Sequence, residues 1–196
     1  MPLGDLENSV HSLTGRVGVL DELMRLLAND LIYGAVVVLG VLWFNRRGLR
    51  AGLALTVGAF LALALGQLLA SLLPESRPFV ADHFTPLIAH SADGSFPSDH
   101  LLVLGALSGG CLIASRPLAA AATGMALVVA VARVYVGIHY PVDVIAGFLV
   151  GLACGLAAWA GLAPAQRIID RLDGTLQRHG MRPIRQSPAT PARQAT

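Results

Sequence analysis

Long apolar runs alternate with short clusters of charge along this chain. Ala51–Leu73 contains no charged residue, and at ~1.5 Å per helical residue it is long enough to cross the ~30 Å hydrocarbon core of a bilayer. Leu26–Phe44 reads as an earlier span that tolerates Asn29 and Asp30 at its outer end. Leu101–Ser115 and Pro117–Ala132 read as a helical hairpin turning at Arg116-Pro117, and Val144–Ala165 as the last span. Both hairpin members fall short of the ~20 apolar residues that a span needs. Polar residues complete their outer ends, Asp99 and His100 on one and Arg133 to His139 on the other. Upstream, Val10, Leu13, Val17, Leu20, Leu23 and Leu27 recur near helical period among Glu7, Arg16, Asp21, Glu22, Arg25 and Asp30. That pattern predicts an interfacial amphipathic helix over residues 1–25; a short sixth span would place Arg16, Asp21 and Glu22 in hydrocarbon. The fold predicted is all-α, an integral membrane helical bundle with about five transmembrane helices plus the N-terminal interfacial helix.

Composition agrees: 55% of residues are hydrophobic and 13% charged, far from the balance of a soluble domain. The basic residues are all arginine, so lysine chemistry is excluded, and a net charge of +2 does not suit a nucleic-acid partner. The N-terminus has Asp5 and Glu7 where a cleavable signal would carry basic residues. Cys111 and Cys154 sit inside apolar runs and read as packed thiols.

Arginine placement sets the orientation. Arg46, Arg47 and Arg50, the turn at Arg116, and residues 166–196 with six arginines against two acids mark the cytoplasmic side. One membrane-embedded domain over 1–165 is therefore expected, followed by a basic cytoplasmic tail over 166–196 whose Pro-, Gln- and Thr-rich end predicts disorder. The long loop over 74–99 and the outer end of the hairpin then share the extracytoplasmic face. Gly147, Gly151 and Gly155 would allow a close helix approach, either as a homodimer face or within the bundle.

That outer face gathers a phosphate-handling set of side chains. Pro97-Ser98-Asp99-His100 precedes an apolar helix, whose free N–H groups attract anions, although Ser98 or Asp99 could equally be plain caps. His139-Tyr140-Pro141-Val142-Asp143 opens another helix, and a carboxylate four residues after a histidine can orient its ring. Arg77 and Arg133 are planar, permanently charged donors suited to phosphate oxygens, although either alone could snorkel to head groups. His83, His90 and Asp93 also lie in the long loop; their spacing matches no zinc motif, and accessory or supporting roles in the loop suit them better than metal ligation.

Ala70-x6-Arg77-Pro78, Pro97-Ser98-Asp99-His100 and Ala132-Arg133-x5-His139-x3-Asp143 together resemble the three blocks of the type 2 phosphatidic acid phosphatase family, and more closely its bacterial undecaprenyl diphosphate phosphatases. The likeness covers roughly residues 66–150. It implies metal-independent phosphoryl transfer without a cofactor: His139 attacks phosphorus, Asp143 orients it, Arg77, Ser98 and Arg133 hold the oxygens, and His100 serves the leaving group and then water. Pro97 and Asp99 are implied as accessory residues. Three positions depart from the family wording: Ala70 replaces a lysine, Asp99 a glycine and Ala132 a serine. The implied function is hydrolysis of a polyprenyl diphosphate in the outer leaflet of the cytoplasmic membrane, with a lipid diphosphate and membrane lipids as partners. A phosphatidic acid or phosphatidylglycerophosphate phosphatase and a non-catalytic head-group-binding protein are the alternatives.

Overall fold

The computed structural model describes residues 14–35, 37 and 49–178. Six helices are named in it: α1 (Gly18–Asn29), α2 (Leu49–Leu72), the short α3 (Pro78–Ala81), α4 (Asp99–Ala114), α5 (Arg116–Tyr135) and α6 (Pro141–Arg178). The chain divides into two units, residues 1–160 and 161–196. Within the second, residues 161–178 are helical, which extends regular structure past the expected end of the last span at Ala165.

Among the described residues three helical stretches are long and apolar enough to cross a membrane: Gly52–Leu72, Arg116–Tyr135 and Pro141–Leu162. The apolar stretch Asp99–Ile113 is shorter, as expected for one arm of the hairpin. These helices are apolar around most of their circumference. Phe60 is 69% exposed and Leu127 64%, a surface that water would penalise and lipid would accept.

Helix α4 is the centre of the bundle and packs against α5 and α2, while α1 lies on α5. Leu101, Leu104, Leu107 and Cys111 project from α4 into a core shared with Leu55 of α2 and Ala122, Ala126 and Val129 of α5. On its other side, Leu102 and Ala106 meet Ala62 of α2. The hairpin bend is tighter than expected. Ser115 alone is extended, and Arg116-Pro117 already form the first turn of α5, where a proline loses no helical hydrogen bond.

One further expectation is corrected. Leu26–Asn29 belong to α1 and not to the first span: the Asp30 N–H caps onto Leu26 O at 2.8 Å, and helix resumes only at residue 32. Asn29 and Asp30 are poor helix-interior residues, which accounts for the break. The rest of that span beyond residue 37, the arginine loop up to residue 48, residues 1–13 and residues 179–196 lie outside the described residues. Gly147, Gly151 and Gly155 were open to two readings, a homodimer face or a close approach within the bundle, and the structure shows the second. A Cβ at Gly151 would strike Leu102 O and one at Gly155 would strike Ala106 O, while one at Gly147 would stand 2.7 Å from Ser98 O. The glycine face is thus occupied by α4 of the same chain and is not open as a dimer face. Gly105 and Gly109 return the contact from α4, against Phe148 and Leu152.

This close approach predicts a position-specific response to one added methyl group. Gly151→Ala should destabilise the extracted protein by about 1–3 kcal/mol, because backbone must move to admit the methyl. Gly124→Ala on α5, where no atom lies within 4 Å of an added Cβ, should be neutral or slightly stabilising. Thermal unfolding in detergent checks the pair, and equal midpoints would contradict the packing.

Candidate active site

The end of α5 brings Arg133 and His139 together. Val136 is the last residue near helical geometry, and Gly137 follows at φ 82°, in the left-handed region that glycine enters without strain. Gly137 N–H reaches Val134 O at 3.1 Å and Ile138 N–H reaches Arg133 O at 3.3 Å. This pair of bonds is a Schellman closure. It folds the chain back over its own last turn, so that His139 returns beside the Arg133 side chain. Ile138, fully buried, anchors the return.

Helix α6 begins two residues later. Its third residue, Asp143, reaches back to accept the Tyr140 N–H at 2.8 Å, the acid half of a capping box. The same oxygen, Oδ2, accepts the Ser95 hydroxyl and stands 3.4 Å from His139 Nδ1, within ion-pair range but short of a formed hydrogen bond. Asp143 is wholly buried. Its backbone carbonyl accepts Ser98 N–H at 3.2 Å, which ties the start of α4 to the start of α6.

His139 Nε2 faces the other way, with Arg133 Nη2 at 3.2 Å and Arg77 Nη1 at 3.4 Å. Guanidinium nitrogens only donate, so Nε2 must present its lone pair and the ring proton belongs on Nδ1, toward Asp143. Burial, and secondarily the two arginines, push the imidazole down to about 4, while Asp143 opposes the fall. The ring is neutral at pH 7. A neutral imidazole with its lone pair between two cations is poised to attack an electrophile whose oxygens those cations hold.

Each arginine is fixed from behind. Arg77 donates through Nε and Nη2 to Asp93 Oδ1, both at 2.8 Å, and through Nη1 to Ile138 O at 3.0 Å. Arg133 donates from Nη1 to Ala28 O at 3.1 Å, a carbonyl in the last turn of α1, where the helix dipole favours a cation. In turn α1 is held against α5 by the Tyr135 hydroxyl, which donates to Asp21 Oδ1 at 2.8 Å. Both guanidinium groups are buried, at 5% and 3% residue exposure. Burying such charge is costly, and among the described residues no carboxylate stands within ion-pair distance of Arg133. Ser98 caps α4 with its backbone only: its hydroxyl makes no cap bond. Ser98 Oγ and Arg133 Nε are buried donors with no hydrogen-bond partner among the described residues, as an anion site requires.

These groups converge on a cavity of about 240 Å³ whose walls include Arg77, Arg133, His139, His100, Pro97, Asp99 and Ala70. The expected residues therefore assemble: five of them line the opening with Pro97, and Ser98 and Asp143 are buried in its support. Ser95 and the Ala28 carbonyl were not anticipated as parts of it, and Asp93, expected only in an accessory or supporting role in the loop, holds Arg77. Ser95 stands only three residues before Ser98, but no spacing rule connects it to a carboxylate in a distant helix, and a backbone carbonyl carries no side-chain signal.

An apolar helical bundle with buried arginines and histidines around one cavity has the character of a membrane protein with an anion site. This chain belongs to the PAP2 superfamily, whose pattern matches residues 48–167, and is a membrane phosphatase of that family. It is 30% identical to undecaprenyl-diphosphatase BcrC of Bacillus subtilis over 153 residues, 77% of this chain and 79% of the relative. It is 32% identical to putative undecaprenyl-diphosphatase YbjG of Escherichia coli over 139 residues, 67% of this chain and 68% of the relative. The crystal structure of Aquifex aeolicus LpxE shares the fold, with a TM-score of 0.69 at 21% identity over 81% of this chain and 94% of that one.

The support of Asp143 by Ser95 predicts that Ser95→Ala lowers kcat about tenfold and changes KM little, because the loss falls on orientation of the ring and not on phosphate contacts. A parent-like kcat would remove Ser95 from the site. In the free enzyme, the acid limb of kcat/KM that belongs to His139 should lie near pH 4, since protonation there removes the lone pair. A limb at the ordinary histidine value of about 6.5 would contradict the neutral, buried ring.

Proposed function

We propose that this protein hydrolyses a polyprenyl diphosphate to the monophosphate and inorganic phosphate, through a phosphohistidine on His139. The observation that carries the proposal is the His139 Nε2 lone pair held between Arg77 and Arg133. Undecaprenyl-diphosphatases among the relatives support the substrate class.

In the first step Nε2 attacks the terminal phosphorus and the bond from phosphorus to the bridging oxygen breaks. Arg77, Arg133 and Ser98 Oγ hold the three non-bridging oxygens, and the N–H groups at the start of α4 add to the positive potential. The proton on Nδ1 stays beside Asp143, whose charge stabilises the imidazolium-like phosphohistidine. His100, half-buried in the cavity wall, takes up a solvent proton as the anionic substrate arrives and gives it to the departing lipid phosphate. It then takes a proton from water, whose oxygen attacks phosphorus. The P–N bond breaks, phosphate leaves, and His139 returns neutral.

The apolar outer surfaces of α2, α5 and α6 favour a lipid substrate. Each CH₂ group left in hydrocarbon contributes about 0.8 kcal/mol to partitioning, which a soluble phosphate ester forgoes. Asp99, exposed at the cavity edge, disfavours a phosphate crowded against it and leaves room for a diphosphate whose bridging oxygen faces His100. Fixed guanidinium charge takes the part that a metal ion plays in other phosphatases. Among the described residues no three His, Cys, Asp or Glu side chains gather as a metal-binding set.

Phosphate release from a panel of lipid phosphates in detergent tests the reading. The parent should show higher kcat/KM on polyprenyl diphosphate than on phosphatidic acid, Asp99→Gly should narrow the gap, and turnover should survive EDTA and be blocked by vanadate. Equal rates, or preference for phosphatidic acid, would move the assignment to a glycerolipid phosphatase. Loss on chelation with recovery on adding a divalent ion would end the metal-free mechanism. No turnover on any lipid phosphate would favour head-group binding alone.

The expected orientation is tested separately. A cysteine label at residue 92 should react from outside intact cells and one at residue 180 only after permeabilisation. The opposite pattern would remove the outer-leaflet assignment.

A further inference from the structure

We propose that His90 is a specificity-determining residue that grips the second phosphoryl group of a diphosphate, in place of the cation missing at Ala70. The inference rests on the diphosphate reading of the cavity, and it concerns a residue outside the three family blocks.

The cavity is short of positive charge for a diphosphate. Its fixed cations are Arg77 and Arg133, and its wall also holds the carboxylates of Asp93 and Asp99. Formal fixed charge is two minus two, or zero. A single phosphate group carries about −1.5 to −2 at pH 7, and a diphosphate adds a further anionic group that calls for a further cationic donor. On the α2 side the wall offers Gly66, Gln67 and Ala70, none of them charged. The remaining bases are His100, assigned to the leaving oxygen, and His90.

His90 is placed for the task. It lines the same cavity as Ala70, Asp99 and His100, and its side chain is 25% exposed. Its Nδ1 donates to Ser91 O at 3.2 Å and lies 3.8 Å from Asp93 Oδ1, which leaves Nε2 as the ring nitrogen without an assigned partner. The charged groups around it come from every neighbouring element: Asp93 in its own loop, Arg77 at the start of α3, Arg133 on α5, and Asp99 and His100 at the start of α4. Burial first and then the two arginines lower its proton affinity, against the Ser91 carbonyl and Asp93. An arriving anion offsets the arginine charge. His90 then takes a proton from solvent and donates Nε2–H to the second phosphoryl group, a charge-assisted bond that a monophosphate substrate does not offer.

Inhibition by inorganic pyrophosphate and by inorganic phosphate separates this from the substrate assignment, because it can be read against whichever lipid phosphate the parent hydrolyses. His90→Gln should weaken pyrophosphate inhibition about tenfold and phosphate inhibition by less than about twofold. The difference between parent and variant should be larger near pH 6 than near pH 8, where less imidazolium forms. His90→Arg should restore pyrophosphate binding and remove that pH dependence, which also shows that the loop tolerates substitution. Equal weakening of both inhibitors, a difference that does not grow on acidification, or no restoration by arginine would each overturn the role of His90. A parent enzyme that hydrolyses lipid monophosphates but no diphosphate would instead overturn the proposed substrate, whatever the inhibitors show.

Discussion

Two buried guanidinium groups bear on one imidazole nitrogen, and most of the site exists to sustain that contact. Like charges do not share a buried corner without support. Arg77 is answered by Asp93 and the Ile138 carbonyl, Arg133 by the last turn of α1. With both arginines donating, His139 has no choice of tautomer: the lone pair faces the cavity and the proton faces Asp143. The positive potential that remains is suited to an anion, and it is preorganised because main-chain carbonyls and the Asp93 carboxylate hold the two guanidinium groups in place.

The scaffold explains how such a contact survives in an apolar bundle. Helix α4 is approached by α6 along Gly147, Gly151 and Gly155 so closely that a methyl group would meet backbone. The Ser98 N–H bond to Asp143 O lies at the head of that seam. Three active elements therefore start from one junction: the α4 N-terminus with Ser98 and His100, the α6 N-terminus with Asp143, and the Gly137 closure that returns His139 to Arg133. The N-terminal helix contributes as well. Its amphipathic pattern suggested an interfacial role, and the structure adds that α1 holds Arg133 through Ala28 O and locks onto Tyr135 through Asp21.

Much of this was legible in the sequence. Uncharged runs such as Ala51–Leu73 identify helices because a long apolar segment has few other stable options. His139 and Asp143 were readable as a pair because a four-residue spacing at a helix start brings their side chains together. The boundaries were less legible. Asn29-Asp30 breaks a helix only through weak local preferences, and Ser115 forms the hairpin bend because Arg116-Pro117 fits the first turn of α5 better than a loop. The glycine series carried two meanings, dimer face or internal seam, and only three-dimensional packing decides between them. Ser95 and Asp93 support the site through contacts distant in sequence, and no local pattern marks such partners.

The proposed reaction turns on His139 Nε2 as the atom that accepts the phosphoryl group. Rapid mixing of enzyme with lipid diphosphate, alkaline quenching and peptide mass spectrometry tests it most directly. The result expected is an alkali-stable, acid-labile phosphoryl group on the peptide containing His139, formed within a single turnover and absent in His139→Ala. A phosphoryl group on another residue, or turnover retained in His139→Ala, would contradict the account.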